Sequence, residues 1–308
     1  MSVLFTFPGQ GAQRPGMLHR LPDKAIVRET LDETAAVLGR SIDALDDDTS
    51  LRSTEAVQLC LLVAGVAASR ALAAMGARPG MVCGLSVGAF PAAVVAGALE
   101  FADAVRLVAL RGRLMEQAFP HGYGMTAIDG LMPAMLESLL ADVRSEGLPV
   151  YLANLNSDTQ LVIAGSDEAM AIASGRARER GARRSHRLRM SVPSHCALLD
   201  APAANYAHAF DHVALRPPRV TYLSSSLARP LFRPEDIAAD LARNMARQVL
   251  WRDSMRAAWE RGARLAVEMP PGRSLTRLAQ GSFDGIALAV DGNRLDGIAA
   301  AMAAAEAE

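Results

Sequence analysis

The stretch VCGLSVGAF (82–90) holds one serine, Ser86, between Gly84 and Gly88, with an apolar run before it and small residues after it. G-x-S-x-G between a strand and a helix is the pattern of a nucleophile elbow. The sharp turn tolerates no bulk on either side and lifts the hydroxyl to the edge of the sheet. The N–H groups at the start of the following helix then point toward the same spot. A plain tight turn can carry the same five residues, so the strand and helix around them give the pattern its weight. Pro91 falls about one turn into that helix, where it removes a donor and crowds the carbonyl of Val87, which predicts a distorted start.

A serine hydroxyl needs a base to take its proton. Of His19, His121, His186, His195, His208 and His212, His195 is the candidate, because SVPSH (191–195) sets it on a proline-constrained segment. The others sit in polar or helical surroundings that suit solvated rings. Arg111 is the third residue of interest. It interrupts the apolar helical run LVALRGRLM (107–115), where a guanidinium is costly unless an anion meets it. Its planar fork suits a carboxylate, either a ligand's or that of a structural Asp or Glu. Cys60, Cys83 and Cys196 are odd in number and lack C-x-x-C spacing, so neither a disulfide framework nor a metal site is expected.

The elements that must position these residues follow from the apolar rhythm. VLFTF (3–7) reads as a buried strand entering the glycine-rich loop PGQGAQRPG (8–16). That loop lacks the third glycine of a dinucleotide fingerprint and any G-K-[ST]. Helices are predicted over 23–38, 54–75 and 101–119, with a strand at MVCGL (81–85) leading to Ser86. Strands alternating with helices predict a mostly parallel sheet. From 122 to 192 the rhythm becomes β-α-β-β-α-β, a ferredoxin-like order, with strands at 124–128, 150–154, 160–165 and 184–190. Helices at 198–212 and 234–261 and strands at 264–269 and 286–290 follow. The predicted fold is α/β: an α/β-hydrolase-like large domain, discontinuous over 1–121 and 193–308, with an inserted ferredoxin-like small domain over 122–192.

The 308 residues are 51% hydrophobic with a formal net charge of −1. Near neutrality gives no global attraction to nucleic acid or anionic lipid. No apolar run near twenty residues stands out, so no membrane span is expected, and the start MSVLFTFPGQG lacks the basic opening of a secretory signal. Together with the cysteine usage this points to the cytoplasm. Lys24 is the only lysine, so arginine carries the positive charge.

Five stretches, FPGQGAQ (7–13), GLSVG (84–88), LRGRLM (110–115), NLNSDTQLVIAG (154–165) and VPSHCALL (192–199), together resemble the malonyl-CoA:acyl carrier protein transacylases, in order and spacing. The resemblance implies an acyltransferase with Ser86 as nucleophile and His195 as general base and acid. It implies an oxyanion site at the backbone N–H groups of Gln10 and Val87, and Arg111 as the ligand of the malonyl carboxylate. Gln58 and Asn156 fall where that family keeps polar site residues, and Asn244 where it orients the histidine. Malonyl-CoA and an acyl carrier protein are the implied substrate and partner, with no bound cofactor and no metal. Leu85 and Ala89 replace the family's usual His and Glu, and with GYGMTAI (122–128) they resemble the branch that serves malonate decarboxylase as its epsilon subunit. The alternatives are a housekeeping transacylase of fatty-acid synthesis and, in another class, a serine esterase or thioesterase. The arginine run 176–189 either receives CoA phosphates or an acidic carrier, or is a solvated helix and edge strand. MPPGRSLTRL (269–278) reads as a turn and helix start.

Overall fold

In the computed structural model, which describes residues 2–307, the opening apolar run becomes the buried strand β1 (Ser2–Phe7). The other strands are β2 (Met81–Gly84), β3 (Tyr123–Asp129), β4 (Val150–Leu155), β5 (Gln160–Ser166), β6 (Arg184–Arg187), β7 (Thr221–Ser224), β8 (Arg229–Leu231), β9 (Ala263–Glu268) and β10 (Ile286–Ala289). They form a six-stranded sheet, β10-β9-β1-β2-β7-β8, and a four-stranded sheet, β4-β5-β3-β6. The larger sheet is parallel except for β8, which turns back antiparallel on β7. The smaller is antiparallel, and its strands come from one continuous stretch with helices Pro133–Ser145 and Asp167–Glu179 packed on it.

Four helices matter for the site: α1 (Ala25–Leu38), α2 (Thr54–Ala73), α3 (Ala89–Val95) and α4 (Phe101–Ala118). The helix α2 corrects the reading that no long apolar run exists. Its mean hydropathy of 1.8 over a membrane-length window would suffice to cross a bilayer, yet 89% of that window is buried in the protein. It packs against α1, α3 and α4. A helix that is apolar all round belongs inside, and here the inside is protein.

Two other expectations are corrected, and one hairpin is added. The predicted helix 234–261 is broken into Pro234–Arg243, a 3-10 turn at Asn244–Ala246, and Trp251–Glu260. The break is tertiary in origin: Val249 N donates to Ala153 O at 2.9 Å and Leu155 N to Val249 O at 2.8 Å, tying the segment to β4. The predicted helix 198–212 is α-helical only over Asp200–Ala207, with 3-10 turns on both sides. The β7–β8 hairpin was not predicted. Its strands are too short to show an alternating pattern, and β7 gains its partners only by lying beside β2.

The close fit around the serine turn yields a first prediction. A Cβ on Gly84 would stand 2.0 Å from the backbone carbonyl of Gly88 and 2.2 Å from Ala89 N. Backbone cannot move aside as a side-chain tip can. Gly84→Ala should therefore cost about 3 kcal/mol or more, seen as a lowered urea midpoint.

Candidate active site

After β2 the chain runs through a 3-10 turn, Ser86–Gly88, before α3 begins. Pro91 is the third residue of α3, in the first turn, where a missing N–H is tolerated. The distorted start is thus a 3-10 turn. Ser86 takes φ 57°, a left-handed conformation that costs a non-glycine residue about 1–3 kcal/mol unless its surroundings impose it. They do. Leu85 N donates to Phe7 O at 2.9 Å, and a Cβ on Gly88 would lie 2.2 Å from that same oxygen. A Cβ on Gly9 would lie 2.9 Å from Leu85 O and 3.3 Å from Ser86 Cβ. The absence of side chains at Gly9 and Gly88 lets the loop after β1 lie against the serine turn and brings the Gln10 backbone beside it. Among the described residues, no turn, loop or cap hydrogen bond uses the amides of Gln10 or Val87.

His195 comes from the segment that follows β6 and also has positive φ, 66°. Its backbone N–H donates to Met245 O at 2.7 Å. Its Nδ1 faces two carbonyl oxygens, Asn244 O at 3.0 Å and Arg247 O at 2.9 Å. Carbonyls only accept, so Nδ1 carries the proton and Nε2 is left to accept from the Ser86 hydroxyl at 2.7 Å. The break in the predicted helix 234–261 is what presents those carbonyls. Burial, and then the Arg111 charge, push the imidazole down to about 4, so it is neutral at physiological pH and its Nε2 lone pair is unprotonated.

Arg111, on α4, is fully buried. Its Nη1 donates to Gln58 Oε1 at 2.7 Å, and its Nη2 donates to Asn244 Oδ1 at 3.0 Å and to Ser86 Oγ at 3.4 Å. Among the described residues no carboxylate lies within ion-pair distance of it, so the structural Asp or Glu that could have explained it does not. Its Nε and the Asn244 Nδ2 are buried donors without protein acceptors. Burial pushes the guanidinium down to about 10, which still leaves it charged at neutral pH. An uncompensated cation is therefore held beside the serine by neutral oxygens alone. A small carboxylate would supply the missing charge and acceptors.

Gln58 lies on α2 and links two parts of the site: its Oε1 accepts from Arg111 while its Nε2 donates to Gln10 Oε1 at 3.1 Å. Asn244 touches the site twice, through its carbonyl on His195 and its side chain on Arg111. The structure keeps Asn156 apart from this network. It hydrogen-bonds Asn154 and Gln160 and lines a cavity of about 470 Å³ with Gln10, Leu85 and His186. A second cavity, of about 670 Å³, reaches His195 between Arg144, Tyr151 and Arg247. Sequence reasoning did not find the Arg247 carbonyl or the Gln10 side chain. Gln58, which the resemblance named, also carries a signal of its own, since it is a polar residue in the otherwise apolar VQLCLLV (57–63), the same contrast that marked Arg111.

The arginine run divides. Arg176 pairs with Glu146, Arg180 with Asp142 and Arg187 with Asp167, on a helix and on β6 at the sheet edge. Segment 269–278 is a turn followed by helix Ser274–Ala279, with Glu268 accepting from Leu275 N and Thr276 N at its start. The three cysteines are buried and unpaired, and among the described residues no cluster of His, Cys, Asp and Glu could hold a metal.

The depressed His195 fixes a pH dependence. Below pH 6.5 the unfolded imidazole binds a proton, whereas the native one does so only near pH 4. Its contribution to stability is therefore complete above pH 6.5 and fades as pH falls toward 4. The acid limb of kcat/KM should likewise lie well below an ordinary imidazole's, and a pH–rate profile from about pH 4 to pH 8 tests this.

The chain matches the acyl transferase domain family over residues 4–296. It is 36% identical over 286 residues to the malonyl CoA-acyl carrier protein transacylase of Escherichia coli K12, covering 91% of this chain and 92% of that one. The crystal structure of FabD from Acinetobacter baumannii superposes with a TM-score of 0.93 at 32% identity, covering 99% of each chain. A malonyl-transacylase solved in complex with its type II PKS acyl-carrier protein superposes at 0.91, with 32% identity and full coverage of both. These structures share the mostly parallel α/β architecture.

Proposed function

The chain belongs to the acyl transferase family and is an acyltransferase, and from that premise we propose that it carries malonyl from malonyl-CoA to the prosthetic-group thiol of an acyl carrier protein. In the first half-reaction His195 Nε2 takes the Ser86 proton as Oγ attacks the thioester carbonyl. The amides of Gln10 and Val87 receive the oxyanion. The C–S bond then breaks, the coenzyme thiolate takes the proton from His195, and a malonyl ester remains on Ser86. In the second half the carrier thiol gives its proton to His195 and attacks the ester, and Ser86 leaves with that proton. Neither half calls for a bound cofactor. Asn244 O and Arg247 O hold the ring through both.

The observation that carries this reading is the buried, carboxylate-free guanidinium of Arg111, 3.4 Å from Ser86 Oγ. In a malonyl thioester the carboxylate is separated from the reacting carbonyl by one methylene, two C–C bonds of about 1.5 Å each. A cation beside the nucleophile therefore meets the carboxylate of a short diacid and has nothing to meet in an acetyl group.

Loading of a general biosynthetic carrier, as in fatty-acid synthesis, is favoured over service to malonate decarboxylase. The relatives are named as malonyl CoA-acyl carrier protein transacylases. Leu85 and Ala89, which suggested the decarboxylase branch, pack into apolar clusters beside the turn. The test offers malonyl-CoA with either a holo fatty-acid carrier protein or a decarboxylase-type carrier bearing a CoA-derived arm, and reads the carrier's mass. Faster loading of the first is expected. Preference for the second restores the decarboxylase role, and release of free malonate with neither loaded makes the protein a thioesterase.

A further inference from the structure

A cavity of about 460 Å³ opens at the N-terminal ends of the central strands β2 and β7, at the opposite end of β2 from the serine. Val220, in its wall, immediately precedes β7 and Pro79 lies two residues before the parallel strand β2, whereas Ser86 follows the far end of β2. At about 3.3 Å per strand residue the two sites are on the order of 20 Å apart. The floor is apolar, with Val66, Val94, Val95 and Phe101, and Arg70, Arg78, Arg216 and Arg219 also line it. Arg70 pairs with Glu33 at 2.8 Å and lies over the Phe101 ring at 4.8 Å, and Arg216 pairs with Glu100 at 2.5 Å. Among the described residues neither Arg78 nor Arg219 has a carboxylate partner, although Arg219 is brought over Gly97 by its backbone bond to Ala96 O. Four cations against two anions leave this cavity positive in a chain whose formal charge is −1.

We propose that this cavity binds a small amphipathic anion, with an apolar body on the valine and phenylalanine floor and a carboxylate or phosphate head between Arg78 and Arg219. Its volume lies within the range of ligand sites, about 300–1,000 Å³. The guanidinium fork matches both heads, while the floor excludes a bare inorganic ion as the best ligand. None of these residues touches Ser86, His195 or Arg111 in the hydrogen-bond network, so binding here is separable from acyl transfer.

The test is calorimetric titration of the full chain with octyl phosphate, octanoate and uncharged octyl glucoside, each below its micelle concentration. Saturable binding of an anionic probe is expected, at least about tenfold tighter than the glucoside, and the tighter head identifies the ligand class. The Arg78→Ala/Arg219→Ala variant should weaken that binding at least about tenfold while malonyl transfer and Tm stay unchanged. Ala73→Trp, which fills the cavity and leaves the charges, should abolish it. Absence of saturable binding, equal binding of the glucoside, or undiminished binding by the double-arginine variant overturns the proposal, the last by placing the probe elsewhere on the protein.

Discussion

Ser86→Ala is expected to lower malonyl transfer by about 10⁴-fold or more, the scale on which serine enzymes lose turnover when the nucleophile is removed. The substitution takes away the one oxygen placed 2.7 Å from His195 Nε2 and leaves Arg111, Gln58 and Asn244 bonded to one another. Malonyl-CoA should therefore still bind, with its carboxylate on Arg111, and calorimetry on the variant separates lost chemistry from lost binding. The fold should lose about 1–3 kcal/mol, since the hydroxyl's bonds to His195 and Arg111 both go. His195→Ala should be nearly as damaging as Ser86→Ala, and the double variant hardly worse than either, because the pair works as a unit. Independent, additive losses in a side-by-side rate comparison would show that the two residues do not share a proton.

The second large effect is on selectivity. Arg111→Met keeps the volume and removes the charge, so kcat/KM for malonyl-CoA should fall by about 10²–10³, corresponding to a buried charge-assisted pair of roughly 3–4 kcal/mol. Acetyl-CoA, which offers Arg111 nothing, should change by less than about tenfold. Free malonate should raise the Tm of the native protein, by about 2.7 kcal/mol of added stability at a hundred times its Kd, and leave the variant's Tm unmoved. If the variant still prefers malonyl-CoA, the selecting cation lies elsewhere.

The parts of the site that local sequence could mark were those with a local contrast. Ser86 stands between glycines that the packing requires, and Arg111 breaks an apolar helix and then finds no carboxylate partner among the described residues. His195 could be singled out by its proline-constrained segment, but not the carbonyls that orient it. Those carbonyls come from 244–247, where periodicity predicted continuous helix, and the helix yields to strand pairing with β4 that sequence distance hides. The Arg111–Asn244 bond spans 133 residues and the Arg111–Gln58 bond 53, so no spacing rule reaches them. Hydropathy alone misleads at α2: the run is long and apolar enough to cross a membrane, and only the helices packed around it distinguish a core helix from a membrane helix of the same length.

The most direct measurement is intact and peptide mass spectrometry of the protein after brief exposure to malonyl-CoA or acetyl-CoA, with no carrier present. The account predicts a malonyl ester on Ser86, scarce acetylation, and loss of that disparity in Arg111→Met. Equal labelling by the two thioesters, or a malonyl group on any residue other than Ser86, would contradict it.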